Sequence, residues 1–281
     1  MIASLDSRRR TVIAAALLTA LPGWLTGFVT KSVASVTLAG AARGDAVLGD
    51  PGAVWLIELL RLNARNIQAA LSITPWAAIA FAYVALVTWT MVLASFVSER
   101  EDTSVVAFGA SRVSSMSVVL AIWLLIRAAI VWLLAVFVGW LAPLIASSPN
   151  EKALTLTQAG FGLPFVVLFL LVRVPHDLSY AACVRHQEKG PSAIITGLSA
   201  CRYEWRAALG AWVLRFGASA LVLAVSTVFT VVLDIRSPWS MPLSMLAHHA
   251  SLFALVWFRA AWLRDALMLV ERFAPPSYTE E

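Results

Sequence analysis

The residues best able to do chemistry in this chain are few and scattered. Arg127 stands in Leu125-Ile126-Arg127-Ala128, inside a long apolar run, and His248 and His249 stand near the centre of another. A charged side chain at the middle of a bilayer costs roughly 2.5–3.5 kcal/mol on insertion scales, so Arg127 must face protein, water or an anion. A guanidinium beside an imidazole can hold an anion or take part in a proton relay, which makes Arg127, His248 and His249 the candidate midplane polar site. The same residues also suit plain helix-to-helix hydrogen bonding, which needs no ligand. Arg173 and Asp177 are four positions apart, where a helix brings opposite charges together, and form a candidate ion pair at a membrane exit.

Other chemistry is poorly supplied. Cys183 and Cys201 join His176 and His186 in a set of four, the number zinc prefers, but their spacings match no standard finger, so no metal or cofactor is expected. Both cysteines fall on the side read below as cytoplasmic, where disulfides seldom persist. The sequence holds no His-Glu-x-x-His pair, no Gly-x-Ser-x-Gly elbow, no phosphate-cradling loop and no pair of intramembrane aspartates. Gly160-Phe161-Gly162 is too short for a nucleotide fingerprint and suits close helix approach. The expectation is a protein that is not an enzyme.

The elements that must position these residues are set by composition. Of the 281 residues 60% are apolar and 13% charged, with a mean hydropathy of +0.81. Soluble domains carry roughly 25% charged residues, and a soluble core could not absorb the excess of apolar side chains. Lipid can, provided every spanning backbone group is bonded internally. The apolar runs are continuous and lack the alternation of barrel strands, so the predicted class is all-α, a polytopic bundle forming a single integral-membrane domain over the whole chain. The net charge of +5 could point to nucleic acid, but the Lys and Arg lie between apolar runs with no interleaved aromatic stripe, so no nucleic-acid partner is expected.

Six spans are predicted: Thr11 to Thr30, Thr74 to Val97, Met116 to Leu144, Ala159 to Val174, Ala211 to Leu233 and Pro242 to Leu263. Placing the N-terminus inside puts 14 of the 21 Lys and Arg on the cytoplasmic side and 6 opposite, with Arg127 in a span, so both termini are expected to be cytoplasmic. The stretch after Arg8, Arg9 and Arg10, with Ala39, Gly40 and Ala41 beyond it, could also be a signal peptide. Its apolar run exceeds a signal core of about 7–15 residues, which favours an uncleaved span.

Two connecting segments carry apolar stripes at helical spacing and predict interfacial amphipathic helices. Gly52 to Ser72 sets Val54, Ile57, Leu60 and Leu71 against Glu58, Arg61 and Arg65, and Pro191 to Leu209 sets Ile194, Ile195, Leu198 and Tyr203 against Arg202, Glu204 and Arg206. Both have a leading proline, Pro51 and Pro191, and an Ala-Ala-Leu exit, at Ala69-Ala70-Leu71 and Ala207-Ala208-Leu209. If they correspond, the chain is a 3+3 inverted repeat, an architecture shared by many secondary transporters. The charged segment from Arg173 to Arg206 reads either as a solvated connector or as the docking surface for a protein partner.

A spanning helix leading into Asp177-Leu178-Ser179-Tyr180-Ala181-Ala182, then a short basic turn, then a helix from Ser192 to Arg206 entering a further span, resembles a broad group of bacterial membrane proteins. Their best-named relative is the membrane domain of some glycerophosphoryl diester phosphodiesterases. The likeness covers about forty residues and is one of pattern. In that group an Arg often follows the Asp-containing turn, whereas Cys183 and Val184 delay it to Arg185. The resemblance implies a helical module of the inner membrane and carries over no catalytic residue. The expected role is a non-catalytic membrane module that assembles with protein or lipid partners in the bilayer. The alternatives are a small transporter or channel using the midplane site, then an intramembrane enzyme.

Overall fold

A computed structural model of the chain describes residues 10–20, 64–97, 104–146, 151–232 and 239–273. Among them there is no strand. The helices are α1 (Arg10–Ala20), α2 (Ala64–Val97), α3 (Val105–Ala146), α4 (Glu151–Leu171), α5 (Arg173–Arg185), α6 (Gly190–Tyr203), α7 (Trp205–Val232) and α8 (Ser240–Glu271). Four stretches are long and apolar enough to cross a membrane: Ile79–Val97, Val105–Leu141, Gly162–Arg185 and Trp205–Phe229. The expected sixth span lies within α8, which is helical throughout but is not one of the four. Only the start of the first expected span, and only the end of the helix expected over 52–72, fall among the described residues.

α5 is the hub. It packs against α2, α3, α6 and α8, and every residue from His176 to Val184 is buried. The small side chains Ser179, Ala181 and Ala182 let neighbours approach on several faces, while Leu178 and Val184 fill the remaining space with no exposure. α6 returns along α5 and buries Gly190, Ala193, Gly197 and Ala200, a stripe at spacings of three and four. At Gly197 the contact is so close that a Cβ would lie 2.6 Å from the Ser179 amide nitrogen. Ile195, Leu198 and Tyr203, on the outer face, are exposed. The turn joining the two helices needs a left-handed residue, Gln187 at φ 57°, whose side chain and carbonyl both receive hydrogen bonds from Arg112, at 2.5 and 3.4 Å.

The structure moves two expected boundaries. The fourth span does not stop at Val174: the chain breaks at Val172 and resumes as α5, so one apolar stretch reaches Arg185. Pro175 explains the break, since it has no N–H to bond the Leu171 carbonyl and its ring crowds that turn. The segment from Arg173 to Arg206 is therefore a helical hairpin with a buried first arm, where the sequence suggested a connecting loop. The second change bears on symmetry. α2 runs unbroken from Ala64 through the expected boundary near residue 73, whereas the corresponding later segment breaks at Glu204 between α6 and α7.

Several helix hydroxyls are satisfied locally, although the buried Ser226 hydroxyl on α7 has no partner among the described residues. Thr90, Ser117, Ser179, Ser219 and Ser251 each donate to the carbonyl four residues earlier, at 2.7–2.9 Å, which is how an apolar surrounding accommodates them.

Candidate functional site

The break at Val172 sets the register of α5 so that Arg173, His176, Asp177 and Tyr180 share one face, at offsets of three and four. Asp177 is wholly buried. Its carboxylate accepts hydrogen bonds from Arg259 Nη2 at 3.1 Å, Arg259 Nη1 at 3.4 Å and Trp262 Nε1 at 2.8 Å. Arg173 Nε lies 3.7 Å away, within ion-pair distance but too long for a hydrogen bond. Arg259 and Trp262 are three apart on α8, so one helix face supplies both donors. The Arg259 guanidinium also lies 4.7 Å from the centre of the Trp89 ring on α2, a cation–π contact that adds a third helix to the seat.

A second layer continues toward α3. Arg127 Nη2 lies 3.1 Å from His176 Nδ1. A guanidinium is always a donor, so Nδ1 accepts and the imidazole carries its proton on Nε2. That Nε2 is buried and has no hydrogen-bond partner, as do Arg127 Nε, Trp123 Nε1 and Arg259 Nε. The imidazole packs at 4.4 Å from the Tyr180 ring and 5.9 Å from the Trp123 ring. Arg127 also sits over Phe169, 5.6 Å from its centre. Arg127 and Arg173 both feel the charges of Arg259 and of Asp177, the carboxylate common to them.

The expected site residues are thus distributed differently from the sequence reading. Arg127 meets His176, which the sequence placed beyond the fourth span. His248 and His249 are exposed on α8, and His249 Nδ1 bonds the Met245 carbonyl one turn back, at 2.7 Å. Arg173 and Asp177 lie together, but the carboxylate's principal partners are Arg259 and Trp262. The predicted fourth span, ending at Val174, leaves Asp177 outside, and the extension of that apolar stretch to Arg185 brings this carboxylate inside it. Arg259 falls inside the predicted sixth span, three residues before Trp262, although the charge count assigns it to the cytoplasmic side.

The four Cys and His residues do not gather. Cys183 is buried, Cys201 half-buried, and His186 Nε2 lies 3.1 Å from the Val270 carbonyl, away from His176. Among the described residues no three His, Cys, Asp or Glu side chains cluster as metal ligands. Burial pushes the Cys201 thiol above its ordinary range. Peripheral ion pairs tie the same helices at their charged ends: Arg185 with Glu271, Arg215 with Asp265 at 3.2 Å, and Arg272 with Glu204 at 3.6 Å.

Comparison with protein-family models, with curated proteins and with solved structures finds no match.

Proposed function

We propose that this chain is a non-catalytic membrane module that assembles with lipid or protein partners. The observation that carries this reading is the seat of Asp177: a carboxylate with no exposure, ringed by two hydrogen-bonding groups of α8 and by Arg173. Such a seat welds α5 to α8 and leaves the carboxylate no open face toward a substrate. Burying an ion pair seldom adds net stability over an apolar packing, so its use is to specify which helices meet and in what register. In this reading α1 begins a first span and α8 is a sixth, both termini are cytoplasmic, and the residence is the inner membrane. The charged helix ends around Arg185, Arg202, Arg264 and Arg272 support that orientation by the excess of positive charge on one side. The resemblance to phosphodiesterase membrane domains agrees with a module lacking chemistry of its own, and a 3+3 inverted repeat is the least supported part, given the unbroken α2.

A second reading, transport of an anion or proton, draws on the buried, unpartnered nitrogens of Arg127 and His176. One experiment separates the two. The purified chain is examined for co-purifying proteins and lipids in mild detergent, and in parallel is reconstituted into vesicles for anion and proton flux. A reproducible partner without flux supports the module. Flux that Arg127→Ala abolishes while insertion persists replaces it with a transporter. Single-cysteine accessibility on the two sides of the vesicle tests the six-span orientation.

A further inference from the structure

A cleft of about 280 Å³ lies where α4 and α5 meet α7 and α8. Three arginines line it, Arg173, Arg215 and Arg259, one from each of α5, α7 and α8. Their carboxylate partners are shared: Asp177 serves Arg259 and Arg173, and Asp265 serves Arg215 at 3.2 Å and Arg264 at 3.8 Å. Two carboxylates serve the three cleft guanidiniums, so one positive charge of the cleft stands uncompensated by these pairs. A guanidinium cannot escape by losing its proton, and against apolar walls it calls for an anion. Of the three cleft arginines Arg173 is the most open to such a partner, with 41% of its side chain exposed and, among the described residues, only the 3.7 Å approach to Asp177.

The cleft is polar at one end and apolar at the other. α5 runs parallel to α8, since Asp177 meets Arg259 and Arg185 meets Glu271, while α7 runs back against α8. Arg215 therefore lies toward the charged helix ends, and Leu170, Leu223 and Leu255 lie toward the interior of the apolar stretches. A free phosphate would leave that end empty, whereas an acyl chain would cover it. The volume is at the small end of the roughly 300–1,000 Å³ of ligand pockets, enough for a headgroup and the first methylenes while the rest of the chain stays in the bilayer.

We infer that this cleft seats one anionic phospholipid, its phosphate on Arg173 and Arg259 and its acyl chain along Leu223 and Leu255. The inference rests on the module reading and names the lipid class for it. Guanidinium–phosphate pairs are bidentate and charge-assisted, and the surplus positive charge repels a headgroup that carries its own ammonium. The site is thus selective for phosphatidylglycerol-like over phosphatidylcholine-like lipid.

The test is native mass spectrometry of the detergent-purified chain titrated with phosphatidylglycerol or phosphatidylcholine. The expected result is retention of phosphatidylglycerol about fivefold to tenfold tighter than phosphatidylcholine, the scale of one or two cationic contacts. Ala220→Trp, which fills the cleft from the exposed face of α7, should remove that preference with melting unchanged, and Arg173→Gln should remove it with the small loss of melting midpoint that goes with its one long ion pair to Asp177. Should Arg173→Gln fail to fold, Ala220→Trp decides. Equal retention of both lipids, phosphatidylglycerol retention untouched by the folded variants, or displacement of the lipid by millimolar inorganic phosphate would each overturn the inference. The lipid ratio is read in detergent, where no flux exists, so its failure is distinct from a transport result that unseats the module.

Discussion

Asp177→Asn is the perturbation that most directly tests the organisation of the buried cluster. The side chain has no exposure, and the asparagine is nearly isosteric, so no cavity forms and the effect is electrostatic. The carboxylate accepts from Arg259 at 3.1 and 3.4 Å and from Trp262 at 2.8 Å. An amide keeps one accepting oxygen and turns an NH₂ toward the other donors, so at least one N–H loses its partner, at about 1–3 kcal/mol. Arg259 and Arg173 also lose their counter-charge, and removing one partner of a buried pair costs about 3–5 kcal/mol in all. That is a large share of the ~5–15 kcal/mol that holds a domain together. The expected fall in melting midpoint is roughly 6–20 °C for a chain of this size. Cys183, with no exposure, supplies the readout: in a Cys201→Ala background, a thiol-reactive dye reports unfolding in detergent. The double variant Asp177→Asn/Arg259→Gln should recover part of the loss, because the stranded charge is gone. A single-variant loss below about 0.5 kcal/mol, within the range of ordinary surface substitutions, would refute the claim that this carboxylate holds α5 against α8.

Close packing gives a paired prediction: Gly197→Ala should destabilise by about 1–3 kcal/mol, since its Cβ would meet the Ser179 backbone at 2.6 Å. Gly109→Ala should cost little despite an equally short 2.6 Å contact, because it meets the flexible Met91 sulfur, and the two melting midpoints decide. Trp262→Phe removes the 2.8 Å donor to Asp177 and should lower stability by about 1.5–3 kcal/mol in the dye assay, far more than the same change at the exposed Trp257. Thiol labelling of the folded wild-type chain should occur at Cys201 and spare Cys183. Because burial raises the Cys201 thiol above its ordinary range, its maleimide rate should go on climbing at pH values where that of a free cysteine has levelled off, as a pH series of labelling rates on both would show.

The membrane class was legible in the sequence because it rests on quantities that sum along the chain: apolar run length, scarcity of charge and the position of Lys and Arg. Length and hydropathy need no knowledge of neighbours, and the structure's four membrane-length helical stretches follow from them. The separation of Arg173 and Asp177 by one helical turn was legible for the same reason, as a property of a single helix. Arg127 could be picked out, but its partner could not. His248 and His249 were the histidines nearest a span centre, and choosing between them and His176 requires knowing where α4 breaks and how α5 rotates against α3.

Tertiary structure decided the rest. Whether Pro175 ends a helix or only interrupts it cannot be read locally, because a proline's lost bond can be offset by packing on either side. With α5 buried on every face, continuing costs less than turning out to solvent, and Asp177 is carried into the core with its two donors waiting on α8. Arg259 lies 82 residues from Asp177 and Trp262 lies 85, distances over which composition and periodicity carry no information. The sequence by itself determined that this chain forms helices long and apolar enough to cross a membrane and that Arg127 falls inside one of them. Only the fold decided that one carboxylate and three arginines share the interior, because ion pairing depends on which helix faces meet.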